Sequence, residues 1–409
     1  MSRSVDIGSS ISLSRPPVSI SRQAQRIVRT YRGWQDFERT HGGPEIIDFD
    51  LSSVQGSTPF NSRMEVLSEL QALRDGMDEG SSEAEFLQAR LNGSVFYLRA
   101  LMGQQIPFSE YLKNTLGVGP EPFSRDEIGL ARREVNERLA PFDLEMKADF
   151  RKRFETYFLL RNREEIRDGI VGDQKAWLRR LCSAGIPVPS QLHFAVEFTE
   201  VDAYWSNWIS GSLSTGITLS INIHPRKKYD RGRPLALCLH EICGHAVHMS
   251  IWKELIAQEK LDQACGVTTV HSPEMFVSEG LGQTVPDLLG GNETFPKEFL
   301  ASRSLQYYTL IILHNAHLMT YEGAPIETAL GYACDYLPFS DSDNIESELR
   351  DRGTNALFRA YQLSYTSAER TIRQLIQGFT VRQKQRFFLE MYTRPMTPMQ
   401  LVRFGAELR

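Results

Sequence analysis

Three histidines and a glutamate lie within nine residues of a stretch that is otherwise apolar and helical in character, Leu239-His240-Glu241-Ile242-Cys243-Gly244-His245-Ala246-Val247-His248. Burying so many polar side chains in an apolar helix costs free energy unless each one has a partner. Hydrogen bonds alone are one solution, and a shared metal ion is the other. The metal satisfies all of these groups at once, so the segment predicts a polar metal centre inside the fold.

The spacing of the histidines sets a condition on the helix. In the HExxH pattern two histidines at i and i+4 lie about 40° apart around the helix and converge on one ion, whereas i and i+5 diverge by about 140°. His240 and His245 have the wider spacing, so the metal interpretation predicts a one-residue bulge, for which Gly244 is the easiest position. An alternative without a bulge pairs His245 with His248, three residues apart, with Glu241 as a further ligand.

A zinc ion needs a third protein ligand and leaves its fourth position to water. Glu279 lies among apolar residues, with Gly280 and Gly282 beside it, which indicates an inward-facing carboxylate where two helices pass closely. Glu274 is the other candidate, but it follows a proline at a helix start, where a carboxylate complements the helix dipole. One zinc ion on the two histidines and Glu279 is therefore expected.

The bulk properties exclude several classes of partner. The 409 residues carry a net charge of −5, which favours neither nucleic acid nor an anionic membrane surface. No apolar run reaches the roughly 20 residues of a membrane span. The five cysteines are odd in number and scattered, which indicates a reducing compartment and predicts a cytoplasmic protein, with organelle import through the N-terminal tail left open. Cys243 could ligate a soft metal, and the oligomeric state is undetermined.

The pattern along the chain predicts an α+β fold that is predominantly α-helical. Residues 1–23 are Ser/Arg-rich and are expected to form a disordered tail, and residues 24–187 indicate an N-terminal helical region. Residues 188–409 carry the metal segment, preceded by a small β-sheet with strands over 192–199 and 216–223. The connection between the strands, with its glycines, is expected to be mobile and to line a cleft. The two regions are expected to form one unit around that cleft.

The metal segment resembles that of the gluzincin-type metallopeptidases, especially their mostly helical branch. GHAVH is similar to the end of the HEFGHALH motif of thimet oligopeptidase and Taq-type carboxypeptidases, with one residue inserted. HEICGH is similar to the HExxGH motif of dipeptidyl peptidase III and the HExxTH motif of microtubule tyrosine carboxypeptidases. A bacterial family with HExxPGHH and a later EGWA segment also resembles the chain, through Ser278-Glu279-Gly280-Leu281 and, more faintly, through residues 358–365.

The resemblance covers about residues 190–400 and implies a zincin-like fold. It implies zinc binding by His240, His245 and Glu279, with Glu241 as the general base. The chain departs from the bacterial pattern by lacking a proline before Gly244 and by having Leu-Gly where that family has Trp-Ala. The resemblance therefore implies the metal site and its chemistry, and not the substrate preference of any one family.

Further side chains are candidates around the metal. The tetrahedral oxyanion of amide hydrolysis needs donors, and Tyr365 is the preferred one through its place in the resembling stretch. Tyr361 and His317 are the next candidates, and His314 shares the helix of His317. Arg359 could hold a substrate carboxylate through two hydrogen bonds, which would make the enzyme a carboxypeptidase.

The strand over 216–222 directly precedes the metal helix, so it could pair its edge with an extended substrate, with Ser220 and Asn222 as contacts. These features together predict a zinc-dependent hydrolase of peptide bonds, either an exopeptidase of carboxypeptidase type or an oligopeptidase. Two other functions stay open: an enzyme on the same scaffold that acts on a small amide or biosynthetic intermediate, and a binding module with a vestigial site. The retained Glu241 argues against the last, because a site kept for its shape has no use for a general base.

Overall fold

The computed structural model describes residues 3–6, 21–77, 82–147, 149–160, 163–172, 174–203, 205–356 and 358–409. The fold is α+β and predominantly helical, as the sequence predicts. The helices are α1 Arg22–Thr40, α2 Arg63–Asp75, α3 Ser82–Leu101, α4 Phe108–Thr115, α5 Arg125–Leu139, α6 Phe150–Tyr157, α7 Arg163–Gly172, α8 Gln174–Ser183, α9 Arg233–Leu237, α10 Val247–Ala257, α11 Glu274–Leu289, α12 Lys297–Tyr321, α13 Ile326–Tyr336, α14 Ser342–Thr354, α15 Tyr361–Ile376, α16 Val381–Thr393 and α17 Pro398–Glu407.

A small mixed sheet lies beside these helices. Its strands are β1 Arg3–Asp6, β2 Phe49–Asp50, β3 Gln191–Thr199, β4 Asn207–Ser212, β5 Gly216–Asn222 and β6 Val267–Thr268, in the order β1-β3-β5-β4-β2-β6. β5 pairs parallel to β3 and antiparallel to β4, and β2 pairs parallel to β4. The alternating residues Ile217, Leu219 and Ile221 are buried, which is the one-sided burial that their period of two predicts.

Two expectations for irregular chain are wrong where the structure describes it. Arg3–Asp6, within the expected tail, pairs antiparallel with β3. Without this partner, the edge of β3 would present unpaired backbone N–H and C=O groups. Arg22, also within the expected tail, already begins α1. The connection expected to be mobile contains β4, which pairs with β5 along its length. The remainder of the expected tail, residues 1–2 and 7–20, lies outside the described residues.

The helix that carries the histidine motif runs without a break from α9 to α10. Between them, Cys238–Ala246 forms a π-helix of nine residues, in which each turn holds one residue more than an α-helical turn. The bulge predicted from the histidine spacing is therefore confirmed. The π-helix is largely buried among α8, α10 and α11, and Leu239, His240, Glu241 and His245 on one of its sides line a cleft.

Glycines allow α11 to approach its two neighbours. A Cβ on Gly244 would lie 2.9 Å from the Cα of Gly282, and a Cβ on Gly282 would lie 2.7 Å from ring atoms of His240. On the opposite face of α11, a Cβ on Gly280 would lie 2.9 Å from the Cβ of Ala368 in α15. These contacts exclude larger side chains, and α11 is thereby held between the π-helix and α15.

The start of α11 is anchored by a buried ion pair. Arg90 of α3 contacts Glu274 with 2.8 Å between Nε and Oε1, and both side chains are almost fully buried. Arg90 also donates to the carbonyl oxygens of Ala264 and Val267. This pair fixes where α11 begins, five residues before Glu279, and it explains why Glu274 takes a structural place rather than a place in the site.

Within the described residues, no helix combines the length and the apolar character that crossing a membrane requires.

Replacing Gly244 by alanine is expected to destabilise the fold by about 1–3 kcal/mol, because the added methyl group meets backbone of α11 and not a flexible side chain. Urea denaturation followed by circular dichroism measures the change. Gly331→Ala in α13 is the matched control: nothing lies within 4 Å of its added Cβ, so it should leave stability unchanged or raise it by up to about 1 kcal/mol. Equal stability of the two variants would contradict the close contact.

Candidate metal centre

Three side chains from two helices converge on one point. Nε2 of His240 lies 3.1 Å from Nε2 of His245 and 3.3 Å from Oε2 of Glu279, and the distance from His245 Nε2 to the same oxygen is 3.6 Å. A tetrahedral ion with bonds of about 2.0–2.1 Å to nitrogen and oxygen needs ligand atoms about 3.3–3.4 Å apart. The triangle has that size, so this group could hold a metal ion.

The π-helix accounts for the histidine pair. Its wider turn brings residues five apart onto one face, and the two imidazole rings meet nearly at right angles, with 4.8 Å between their centroids. His248, the partner in the alternative without a bulge, packs instead against Trp252 and Tyr392. Burial lowers its pKa to about 3, and it lies outside the ligand group. The alternative pairing is therefore wrong.

Hydrogen bonds hold two of the ligands in place. In the tautomer whose Nε2 lone pair faces the other ligands, Nδ1 of His245 donates to Oγ of Ser278 at 3.0 Å. The Tyr361 hydroxyl donates to Oε1 of Glu279 at 2.7 Å, and the Tyr365 hydroxyl donates to that of Tyr361 at 2.9 Å. Such partners fix the orientation of metal ligands and are typical of metal sites in proteins.

The electrostatics of the group favour a cation. Burial would lower the pKa of His245, but Glu279, together with Glu241 and Asp48, outweighs burial and raises it to about 9. Burial alone would raise the pKa of Glu279, yet His245 and His240 hold it well below its usual range. A carboxylate that stays ionised in a buried place and stabilises positive charge on its neighbour will stabilise a metal cation in the same place.

Glu241 borders the ligand group without belonging to it. Its Oε1 lies 3.8 Å from Nε2 of His240, and it accepts a hydrogen bond of 2.5 Å from the side-chain amide of Asn207 in β4. The oxygen of that amide accepts in turn from Arg233 at 3.3 Å. Glu241 is thus a nearly buried carboxylate with a fixed orientation, at the distance where a water on the ion could reach it.

The group lies at the wall of a cleft with a volume of about 1330 Å³. The cleft is bordered by the π-helix, α11, α12, α14, α15, β4 and the segment before β2. The His240 side chain is 16% exposed, whereas those of His245 and Glu279 are 7% and 4% exposed. The ion would therefore be open to the cleft mainly past His240, as a catalytic site with one free position requires.

Asp48, Asn207 and Arg233 line this cleft and were not predicted from the sequence. Burial raises the pKa of Asp48 to about 8. His245 acts to lower this pKa, whereas Glu279 and Glu241 act to raise it further. Asp48 stands in a short β-like run, and Asn207 in a stretch that the sequence assigned to a mobile connection. Asn207 reaches the cleft through strand pairing, from a part of the chain distant from the histidine motif. Arg233 begins the helix that carries the motif, but nothing in the local sequence shows that its side chain borders the cleft.

Four of the further predicted side chains take other places. His317 is fully buried and does not line the cleft; it lies behind the cleft residue Glu348, with 3.8 Å between Nε2 and Oε1. Arg359 donates to the carbonyl of Ile106 and lies over the ring of Tyr111, also outside the cleft lining. The roles proposed for His317 and Arg359 are therefore wrong.

Ser220 and Asn222 are likewise misplaced as substrate contacts, because β5 is central in the sheet and has no free edge. The Asn222 amide is buried and donates to the carbonyls of Val201 and Trp205, so it shapes the chain beside the sheet. Cys243 and His314 also have structural places: the Cys243 thiol lies beside that of Cys238, and His314 hydrogen bonds Thr366 within the core. Tyr361 and Tyr365 line the cleft as predicted.

Replacing either His245 or Glu279 by alanine is expected to remove bound metal, because two remaining ligands do not hold a divalent ion tightly. Elemental analysis of the purified proteins measures the metal per chain. His248→Leu is the matched control on the same helix and should keep the wild-type metal content, with thermal melting to check folding. Full metal content in both alanine variants would refute this ligand set.

Tyr361→Phe keeps the ring and removes the hydroxyl that binds Glu279. We expect metal affinity to fall about 10- to 100-fold, the usual cost of losing a hydrogen bond that orients a ligand. Competition with a chromogenic chelator measures this affinity. Tyr365→Phe, whose hydroxyl contacts Tyr361 and not Glu279, should cause a smaller loss. If Tyr365→Phe lowered metal affinity more than Tyr361→Phe does, the proposed order of hydrogen bonds, from Tyr365 to Tyr361 to Glu279, would be contradicted.

Comparison with known protein families and with curated proteins found no match. Among solved structures the chain is similar to one described as "the putative lipoprotein from Colwellia psychrerythraea", with a TM-score of 0.55 and 15% sequence identity. The likeness covers 84% of this chain and 66% of that one, so the chain spans slightly less than two thirds of its neighbour. At this identity the likeness is one of fold.

Proposed function

We propose that this protein is a zinc-dependent peptidase in which Glu241 acts as the general base. The observation that carries the proposal is the triangle of His240, His245 and Glu279 at the wall of a cleft, with Glu241 3.8 Å from the nearest ligand nitrogen. A metal site with a structural role alone would be closed and would not need a second carboxylate beside it.

Zinc fits the donor set best. Two imidazoles and one carboxylate at tetrahedral spacing form the ligand set that catalytic zinc uses in several peptidases. Hard ions such as calcium and magnesium prefer shells of oxygen ligands, which this group does not supply. The resemblance of the motif to gluzincin-type peptidases supports the same ion.

The ion, when bound, supplies an electrophile for the scissile carbonyl and an acidified water. Asn207 orients the Glu241 carboxylate, which would accept the proton of the attacking water and pass it to the leaving amine. Tyr365 lines the cleft, and its ring lies alongside His240, with 6.3 Å between ring centroids. If the Tyr365 hydroxyl rotated away from Tyr361, it could donate a hydrogen bond to the oxyanion of the substrate.

A peptide is favoured as substrate by β4. Its residues 207–210 line the cleft, and among the described strands β2 pairs with this edge only at Gly211 and Ser212. An extended peptide could therefore add to the unpaired part of β4 by backbone hydrogen bonds. The cleft also exceeds the roughly 300–1,000 Å³ of most small-molecule pockets, which favours an extended ligand over a compact amide.

Glu241→Gln tests the function. The variant should retain metal, because Glu241 is no ligand, and should lose activity about 10²- to 10⁴-fold, because the amide cannot accept the proton. Mass spectrometry of a peptide library incubated with the zinc-loaded protein measures cleavage, and elemental analysis measures the metal. Gln283→Glu, at another cleft residue, is the control that keeps activity. Cleavage by Glu241→Gln at the wild-type rate would overturn the proposed role.

A further inference from the structure

Arg233 differs in its contacts from the other arginines of the cleft. Three arginines that line the cleft each pair with a carboxylate: Arg226 with Asp202, Arg303 with Asp287 and Arg352 with Glu348. Arg233 has no such ion pair among the described residues, and its guanidinium donates a hydrogen bond to the neutral amide oxygen of Asn207. The Asp230 carboxylate lies within electrostatic range of this guanidinium but makes no direct ion pair with it. The guanidinium, which borders the cleft, is therefore positioned to pair with an anion of a ligand.

The position of Arg233 relative to Glu241 indicates which part of a ligand the guanidinium would contact. Asn207 hydrogen bonds both residues, so a single amide group separates the guanidinium from the Glu241 carboxylate. Glu241 gives its proton to the leaving amine, so the C-terminal part of the substrate lies on the Glu241 side of the metal. Arg233 lies on that side.

We propose that Arg233 binds the terminal carboxylate of the substrate and makes this protein a carboxypeptidase. The inference rests on the proposed peptidase function and names its substrate class, a peptide with a free C-terminus. When the scissile bond is the last one, the leaving amine and the terminal carboxylate are attached to the same Cα. A guanidinium close to the proton donor is then close to the carboxylate as well, and its planar fork can bind both oxygens.

Arg233 could instead serve only to orient Asn207 and, through it, Glu241. The two roles differ in a measurable way. A positioning residue affects all substrates alike, whereas a carboxylate anchor affects only those whose C-terminus is free. The comparison therefore needs the same peptide with and without its terminal charge.

The experiment uses a pool of N-acetylated tetrapeptides, randomised at every position and prepared both as free acids and as C-terminal amides. Binding is measured by calorimetry with the zinc-loaded Glu241→Gln protein, which does not turn the peptides over, and cleavage is measured with Glu241 intact. Arg233→Ala and Arg233→Lys are made in both backgrounds. Arg226→Ala is the matched control, since it removes the same charge from the exposed rim of the same cleft.

The free acids should bind about 10- to 100-fold more tightly than the amides, the range expected for hydrogen bonds between charged groups. Arg233→Ala should abolish this preference, Arg233→Lys should retain part of it, and Arg226→Ala should leave it unchanged. Equal binding of the two pools, binding of neither, or a preference that survives Arg233→Ala would overturn the inference. Cleavage of both pools by the wild type would then leave the peptidase function standing, whereas cleavage of neither would count against that function itself.

Discussion

The extra residue in the helical turn between His240 and His245 is the constraint on which the site depends. In a regular α-helix these rings would point about 140° apart, and no neighbouring helix could supply a carboxylate to both. The π-helix aligns them, and the contact between Gly244 and Gly282 then brings α11 close enough for Glu279 to complete the triangle. The bulge and the close helix contact are thus two halves of one arrangement.

The sequence was sufficient for the metal group and for the fold class. Histidines at i and i+5 in an apolar run can meet only through a bulge, and Glu279 had no structural explanation at a helix start, unlike Glu274, which the structure pairs with buried Arg90. The strands around Leu219 followed from simple alternation. These inferences concern residues that are close in sequence, or polar residues in an apolar segment that must find a partner when buried. Both can be recognised from the local sequence pattern.

The wider cleft could not be predicted in the same way, because it depends on the order of strands and on which face a helix turns inward. The sequence offered β5 as an edge for substrate, but β5 is central and β4 borders the cleft. It offered Arg359 as an anion site, but the ring of Tyr111 and the carbonyl of Ile106 hold that guanidinium elsewhere. An arginine is equally suited to both uses, so only its neighbours in space decide between them.

Charge balance connects the site to the stability of the fold. Glu241, Glu279 and Asp48 all face one small region. Burial favours the neutral form of Asp48 by raising its pKa to about 8, whereas His245 and His240 favour the ionised form of Glu279. Removing carboxylates from water is costly unless a cation compensates them. A divalent ion at the triangle would neutralise most of this charge in the folded state only, since the unfolded chain holds the ligands far apart. Binding would therefore add RT ln(1 + [M]/Kd) to the free energy of unfolding, and a bound ion would help to hold α11 against the π-helix.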